Sequence, residues 1–338
     1  MKVTISDVAK LAGVSTATVS HTINSTRYVS DETKEKVYQA IAELGYTPDA
    51  SARSFRTGKK KTVGFIVPDI ANKFFATMIE SVENCLSSHG YHLIIANTKE
   101  DMEREETNIR LLSAGLVDGL LIASTMDDFT RLERLVPSGF PVVLVDRTFD
   151  TKKFSSVCVS NFQPIYRSVC RLAGKGDQRI GIIGGLPRLS TTKERVSAYQ
   201  QAMQDCSLPV DPELIRYGDS MENGARTCLE ELLEQDCDAI IVCQGLMATE
   251  TMVYLQKKGL QIAQDVDVVG FVDYDSNLHD LYAQQMDYII QPVEELGNAA
   301  GEQILSRIES PDAPIFEQVL TSTYRPHQEP QLHPCSDR

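Results

Sequence analysis

The chain has 338 residues, 42% of them hydrophobic, enough for two or three compact domains that each bury a core, which excludes disorder as the default. No run of about 18 apolar residues occurs and the first residues lack the long apolar stretch of a secretory signal, so a cytoplasmic protein with no membrane partner is expected. Eight cysteines lie scattered with no Cys-x-x-Cys pair and no Cys/His cluster at zinc spacing, so reduced thiols, no metal and no cofactor are expected. The net charge of −14 argues at first against a nucleic-acid partner, but the average hides an asymmetry. Residues 1–61 carry ten Lys/Arg against six Asp/Glu, while residues 62–338 carry 23 against 41. A small basic module on an acidic body is a pattern that attracts a polyanion to one end only.

Thr4-Ile5-Ser6-Asp7 has the form of a helix start, with Thr and Asp placed to satisfy exposed amides. Val8, Ala9, Leu11 and Ala12 follow on one face, Gly13 breaks the helix, and Ser15 restarts one whose Val19 and Ile23 pack back on the first. A third helix begins at Ser30-Asp31-Glu32-Thr33, places Val37, Ile41 and Leu44 at helical spacing, and stops at Gly45-Tyr46-Thr47-Pro48. In such a helix-turn-helix the start of the second helix meets base edges, which makes Thr16, Ala17 and His21 candidates on a solvent-facing side. Thr16 suits a base edge or phosphate, the Ala17 methyl a thymine methyl, and His21 guanine N7 or O6. The plain alternative for each is an ordinary exposed helix residue.

The run Thr4-Ile-Ser-Asp-Val-Ala-Lys-Leu-Ala-Gly-Val-Ser-Thr-Ala-Thr-Val-Ser-His-Thr-Ile-Asn24 resembles, without a gap, the signature of the lac/gal repressor (LacI/GalR) family. Ser15 to His21, with Ile23-Asn24 and Thr26-Arg27-Tyr28-Val29, is most similar to the purine-repressor branch, a likeness that concerns base reading and not the ligand. The resemblance implies an all-α, lambda-repressor-like headpiece over residues 1–48. It would bind double-stranded operator DNA through Thr4, Ser15, Thr16, Ala17, Thr18, His21, Asn24, Arg27 and Tyr28. Residues 49–61 look like the family's hinge helix and linker, implied to order only on DNA, as a helix pair in the minor groove. Phe55 then takes the wedge position where most members carry Leu, and Arg53, Arg56 and Lys59–Lys61 serve phosphates. For the lysines a solvated linker is an equal reading.

From residue 62 onward apolar strand runs alternate with helices. The runs are 63–67, 93–96, 120–123, 142–145, 180–183, 240–243 and 266–271, with Phe74, Phe75, Met78, Ile79, Val82 and Leu86 as a helical stripe after the first. So many strands predict two α/β lobes of doubly wound parallel sheet facing a cleft, where ligands collect at the C-terminal strand ends. The resemblance covers this region through Pro68-Asp69-Ile70, Asn72, Phe74-Phe75, Gly90-Tyr91, Asp118-Gly119-Leu120, Asp146-Arg147, Gly270-Phe271 and Gln291-Pro292. It implies a periplasmic-binding-protein-like core for effector binding and dimerisation over residues 62–338. Its N-lobe is expected at about 62–161 plus 292–321 and its C-lobe at about 162–291 plus 322–330. The implied effector residues are Asn72, Phe74, Phe75, Asp146, Arg147, Arg195, Asp273 and Gln291. Phe74 offers a stacking face, Asp146 acceptors, and Arg195, within Glu194-Arg195-Val-Ser-Ala-Tyr199, a donor fork. Phe74 and Phe75 also fit a packed helix face, and Asp146-Arg147 also fits a strand-end ion pair.

Three departures bear on the ligand. Ser160-Asn161 stands where many members have Asp-Asn, Gln244-Gly245 where they have Asn-Asp, and Val272, followed by Asp273, where they have Asp. Each buried polar group left unpaired costs on the order of 1–3 kcal/mol, so a common pentose or hexose fits less well, leaving an unusual effector or a cleft that has lost binding. The expected function is a homodimeric transcriptional regulator, a repressor, on a palindromic operator. A sugar, sugar derivative or purine-like molecule in the cleft would modulate it. A free binding protein is opposed by the headpiece, and an enzyme by Gly181-Ile-Ile-Gly184-Gly185, which is neither a dinucleotide nor a Walker loop. No catalytic residue is expected.

Overall fold

Local chemistry sets the three helices of the first unit, Met1–Lys60. In the computed structural model, which describes residues 3–24, 27–47, 59–149, 153–219, 224–272 and 286–327, helix α1 (Ile5–Ala12) starts where the Asp7 carboxylate accepts from the Thr4 N–H at 2.9 Å and hydroxyl at 2.7 Å. Those bonds hold the Asp7 carboxyl below its ordinary range. Gly13, at φ +67°, closes the helix in a conformation that side chains resist. Helix α2 (Thr16–Asn24) is capped by Ser15, whose hydroxyl accepts from the Thr18 N–H at 3.0 Å, and α3 (Asp31–Leu44) ends at Gly45. Val8, Ala9, Val19, Val37 and Ala40 are buried between the helices, with Ile5 and Ala12 packed against them. Leu11, expected on the inner face, is 46% exposed, because the inward stripe follows residues 5, 8, 9 and 12 and leaves position 11 on its flank.

The second unit, Lys61–Arg338, holds two α/β lobes. One sheet contains β1 (Thr62–Val67), β2 (His92–Asn97), β3 (Gly119–Ile122), β4 (Val142–Val145), β5 (Ser155–Ser160) and β11 (Glu317–Thr321). All are parallel, in the order β11-β5-β4-β3-β1-β2. Around it lie α4 (Lys73–Ser88), α5 (Met102–Ser113), α6 (Phe129–Leu135) and α11 (Val293–Glu309). The other sheet contains β6 (Ile180–Gly184), β7 (Ile215–Tyr217), β8 (Ala239–Val242), β9 (Asp267–Val272), β10 (Asp287–Ile290) and β12 (Thr323–Arg325), in the order β12-β10-β9-β8-β6-β7. Only β12 runs antiparallel. Its helices are α7 (Phe162–Lys175), α8 (Ser190–Asp205), α9 (Arg226–Glu234) and α10 (Gly245–Lys258). The chain passes between lobes at residues 161, 291–292 and 322. The architecture is therefore the expected one, an all-α headpiece followed by a two-lobed, parallel-rich α/β core. No helix among the described residues is long and apolar enough to cross a membrane.

Helices α4 and α11 meet at small residues. A Cβ on Gly297 would stand 2.6 Å from the Ser81 Cβ and 2.8 Å from the Met78 carbonyl, and one on Gly301 would stand 2.8 Å from the Cys85 sulfur. Gly297→Ala raises helix propensity by about 1 kcal/mol, but the new methyl meets backbone that cannot yield. Overpacking costs about 1–3 kcal/mol. The expected outcome is a lower melting temperature by calorimetry, the opposite sign to propensity alone.

Candidate functional site

On the headpiece, Thr4, Ser15, Thr16 and Ala17 are exposed at the helix starts, Arg27 is exposed, and Tyr28 is 92% exposed. Thr18 is half-buried with its hydroxyl 2.9 Å from that of Ser15. His21, expected to face solvent, is half-buried, because Val19 and Thr22 beside it turn into the core. Asn24 donates its amide to the Ser20 carbonyl at 2.7 Å, so that donor serves the end of its own helix. Arg53, Phe55 and Arg56 lie outside the described residues.

Within the core, the C-terminal ends of β1, β4, β6, β8 and β10 lead into one cavity. It brings together Asn72, Phe74, Phe75, Asp146, Arg147, Arg195 and Gln291 of the predicted effector residues, while Asp273 lies outside the described residues. Thr191, Cys243, Gln244 and Gly245 also line it and were not among the predicted site residues. Thr191 was findable, since it precedes Arg195 by one helical turn on the same face. The cavity measures about 50 Å³, room for one or two waters, so a ring-bearing molecule enters only if the lobes part.

Phe74 and Phe75 are buried with their rings edge to face at 5.2 Å, so they serve the lobe core and wall the cavity at once. Asn72 caps α4, its side-chain oxygen accepting from the Phe74 N–H at 3.0 Å. Asp146 sits at the centre of a three-residue turn, with the Arg147 N–H donating to the Val145 carbonyl at 2.6 Å and φ at +63°. Such backbone costs about 1–3 kcal/mol in a non-glycine residue. The Asp146 carboxyl is buried and one oxygen has no partner. Burial pushes its pKa up, opposed by Arg147 and Arg195.

Arg195 is equally buried. One terminal nitrogen donates to the Cys243 carbonyl at 2.6 Å, the guanidinium lies 4.2 Å over the Phe271 ring, and Nε has no partner. Burial lowers its pKa, although Asp146 and Glu194 nearby favour the charge. The Gln291 amide nitrogen is also unpartnered. Arg147 differs: it grips Glu100 through two bonds of 2.6 and 2.9 Å, so its charge is answered across the lobe and not by Asp146 in hydrogen-bonded form.

Two sets of bonds set the lobes against each other. At the mouth, Arg188 of the C-lobe donates to the Thr125 carbonyl at 3.0 Å and the Glu100 carbonyl at 3.2 Å, and the Thr148 N–H donates to Ser190 Oγ at 3.1 Å. Buried Glu105 fixes the receiving loop, accepting from Ser124 Oγ and the Thr125 N–H, both at 2.6 Å. At the crossovers, Ser322 Oγ donates to Asn161 Oδ1 at 2.6 Å, while Glu194 accepts from Ser160 Oγ at 2.8 Å and the Asn161 N–H at 3.1 Å.

Residues 4–49 match the family described as "Bacterial regulatory proteins, lacI family", and residues 60–328 match "Periplasmic binding proteins and sugar binding domain of LacI family". The chain belongs to the LacI family. The HTH-type transcriptional repressor PurR of Aliivibrio salmonicida is 32% identical over 308 residues, covering 90% of this chain and 92% of that protein. The ribose operon repressor of Haemophilus influenzae is 34% identical over 322 residues, covering 95% and 96%. Among solved structures, the lac repressor dimer bound to operator and the anti-inducer ONPF shares the fold with a TM-score of 0.83 at 23% identity, over 97% of this chain and 99% of that one. The complex of the transcriptional regulator CelR with cellobiose has a TM-score of 0.71 at 27% identity, over 96% and 98%. This LacI-family member is thus a DNA-binding transcriptional regulator with a helix-turn-helix headpiece and an effector-binding core, as the Thr4–Asn24 resemblance implied.

Arg188→Ala removes two bonds at the mouth, from a charged donor worth about 1.5–3 kcal/mol each at most, and every 1.4 kcal/mol is about tenfold in an equilibrium. Amide exchange in residues 98–101 and 123–126 is expected to quicken by about tenfold or more while α3 is unchanged. Equal rates in wild type and variant remove Arg188 from the closure.

Proposed function

We propose that this LacI-family chain is a homodimeric repressor that reads a near-palindromic operator and is modulated by a sugar, sugar derivative or purine-like molecule in the cleft. One observation carries the effector reading: Asp146 Oδ1, Arg195 Nε and Gln291 Nε2 are buried without partners around one cavity walled by Phe74 and Phe75. Buried polar groups are nearly always paired, and each orphan costs about 1–3 kcal/mol. A molecule with both donors and acceptors around a flat or half-flat ring recovers that cost. Purely anionic or purely apolar ligands do not, since Asp146 and Arg195 ask for opposite partners.

In this reading residues 1–48 read bases, 49–61 form the hinge, and 62–338 bind effector and dimerise. The dimer is supported by apolar side chains at the same edge of each sheet: Ile94 and Ile95 on edge strand β2 are 40% and 45% exposed, and Tyr217 on edge strand β7 is 45% exposed. An edge strand with exposed apolar residues is normally covered. Two-fold symmetry of the protein then matches two half-sites. Effector acts by favouring one degree of lobe closure over another, which alters the spacing of the two hinges.

The reading is tested by thermal shift of the full chain against pentoses, hexoses, their phosphates, purines and nucleosides. A true effector at a hundredfold excess over its Kd stabilises by about 2.7 kcal/mol, and Arg195→Ala and Asp146→Asn are each expected to abolish that shift. A shift that survives both variants places the ligand elsewhere. For DNA, His21→Ala is expected to relax preference at one base pair of each half-site by about 1–3 kcal/mol, measured by competition binding. Phe55→Ala is expected to weaken specific more than non-specific binding, and equal losses on both count against the wedge.

A further inference from the structure

One feature of the C-lobe lies outside the lining of the cleft. The Cys170 and Cys206 sulfurs are 3.5 Å apart, in contact, and both residues are partly exposed. Cys170 lies in the middle of α7 and Cys206 is the residue that ends α8. One turn before Cys170, the Tyr166 hydroxyl donates to the Asp205 carboxylate at 2.9 Å, bracing the same two helices beside the thiols. Of the seven described cysteines, this pair alone brings its sulfurs into contact. A disulfide of about 2.05 Å is reached from this contact by an approach of the two sulfurs of about 1.5 Å.

We propose that Cys170 and Cys206 are a thiol-oxidation site, closing reversibly to an intramolecular disulfide with a low-molecular-weight disulfide as the oxidant. One protein thiol gives up its proton and attacks a sulfur of the small disulfide, forming a mixed disulfide and expelling one small thiolate, which takes up a proton. The second protein thiol, deprotonated in turn, attacks the protein-bound sulfur and expels the second small thiol. Two protein thiols become one disulfide, and the small disulfide is reduced to two thiols. Burial, the neighbouring Cys170 and Asp205 push the Cys206 thiol up to about 11, so attack by Cys206 is slow at neutral pH and quickens as pH rises. The second step is between touching sulfurs, and the mixed disulfide does not accumulate.

The bond has a structural consequence. Helix α7 starts at the crossover residue Asn161, and α8 carries Glu194, which holds that crossover, and Arg195 of the cleft. A covalent tie between α7 and the end of α8 bars sliding of these two C-lobe helices against each other, and so fixes the helix through which Glu194 meets the crossover.

The test uses the full chain incubated with glutathione disulfide at pH 8, blocked with iodoacetamide and digested with trypsin without reduction. The expected product is residues 168–171 joined to residues 196–216, lighter by two hydrogens than the two reduced peptides together and released by dithiothreitol. Cys170→Ser and Cys206→Ser are each expected to eliminate it and to leave a stable glutathione adduct on the remaining cysteine. Three outcomes overturn the proposal: an adduct that persists on either cysteine of the wild type, alkylation of both cysteines in full, or a link from either to a different cysteine.

Discussion

The guanidinium of Arg195 is held in place before any ligand arrives. Its bond to the Cys243 carbonyl and its seat over Phe271 fix it to the C-lobe strands, and burial denies it water. A buried charge without full pairing is tolerated only where other charges answer it, and one that favours the Arg195 charge is Asp146 of the N-lobe, itself buried and short of one partner. Lobe closure therefore brings two incomplete groups of opposite charge toward each other. Each lobe is incomplete alone, and what fills the space between them decides how cheaply the charges are buried.

That arrangement explains why the contacts at the mouth are few. Arg188 and Ser190 supply three hydrogen bonds between lobes, each worth about 0.5–3 kcal/mol net, whereas the crossover bonds of Asn161, Ser322 and Glu194 are buried or half-buried and bind segments that stay together. A closure held by a few kcal/mol is one that a ligand with a differential affinity of similar size can shift. The positive-φ backbone at Asp146 and at Lys99 and Glu100 sits beside these contacts. Strain of this kind persists only where the surroundings fix it, and here the Arg147–Glu100 pair does so.

Six of the seven strands legible in the sequence are parallel strands covered on both faces, which read as continuous apolar runs, and edge strand β2 was legible because its apolar run persists although Ile94 and Ile95 are exposed. Strand β5 was not, because Ser155, Ser156 and Ser160 interrupt its pattern although the first two are buried. Strand β11 was not, since it is an edge strand that alternates exposed and half-buried residues; β10 opens on Asp287 and Tyr288 and leaves only two isoleucines in a row, and β7 and β12 have three residues each. In the cleft, Phe74, Asp146 and Arg195 came from the family resemblance, which carries positions but not partners. Nothing local links Arg147 to Glu100, 47 residues away, or Arg188 to Thr125, so the roles of those charges needed the fold. The half-burial of His21 and the use of the Asn24 amide within α2 were likewise invisible, because a helical pattern gives a face and not the contacts made on it.

The distribution of charge completes the physical account of the proposed repressor. With ten Lys/Arg against six Asp/Glu in residues 1–61, one headpiece and hinge offer few phosphate contacts, and each such contact contributes a salt-dependent increment through counterion release. The remaining residues, 23 Lys/Arg against 41 Asp/Glu, repel the same phosphates. A single copy is therefore a poor ligand for DNA of any sequence. Joining two copies turns the second headpiece's docking into an intramolecular step whose gain depends on half-site spacing, because the linkage helps only when both sites are reached together. In the proposed dimer, weak headpieces on a repelling body would make hinge spacing, the quantity that lobe closure is proposed to change, the main control on affinity.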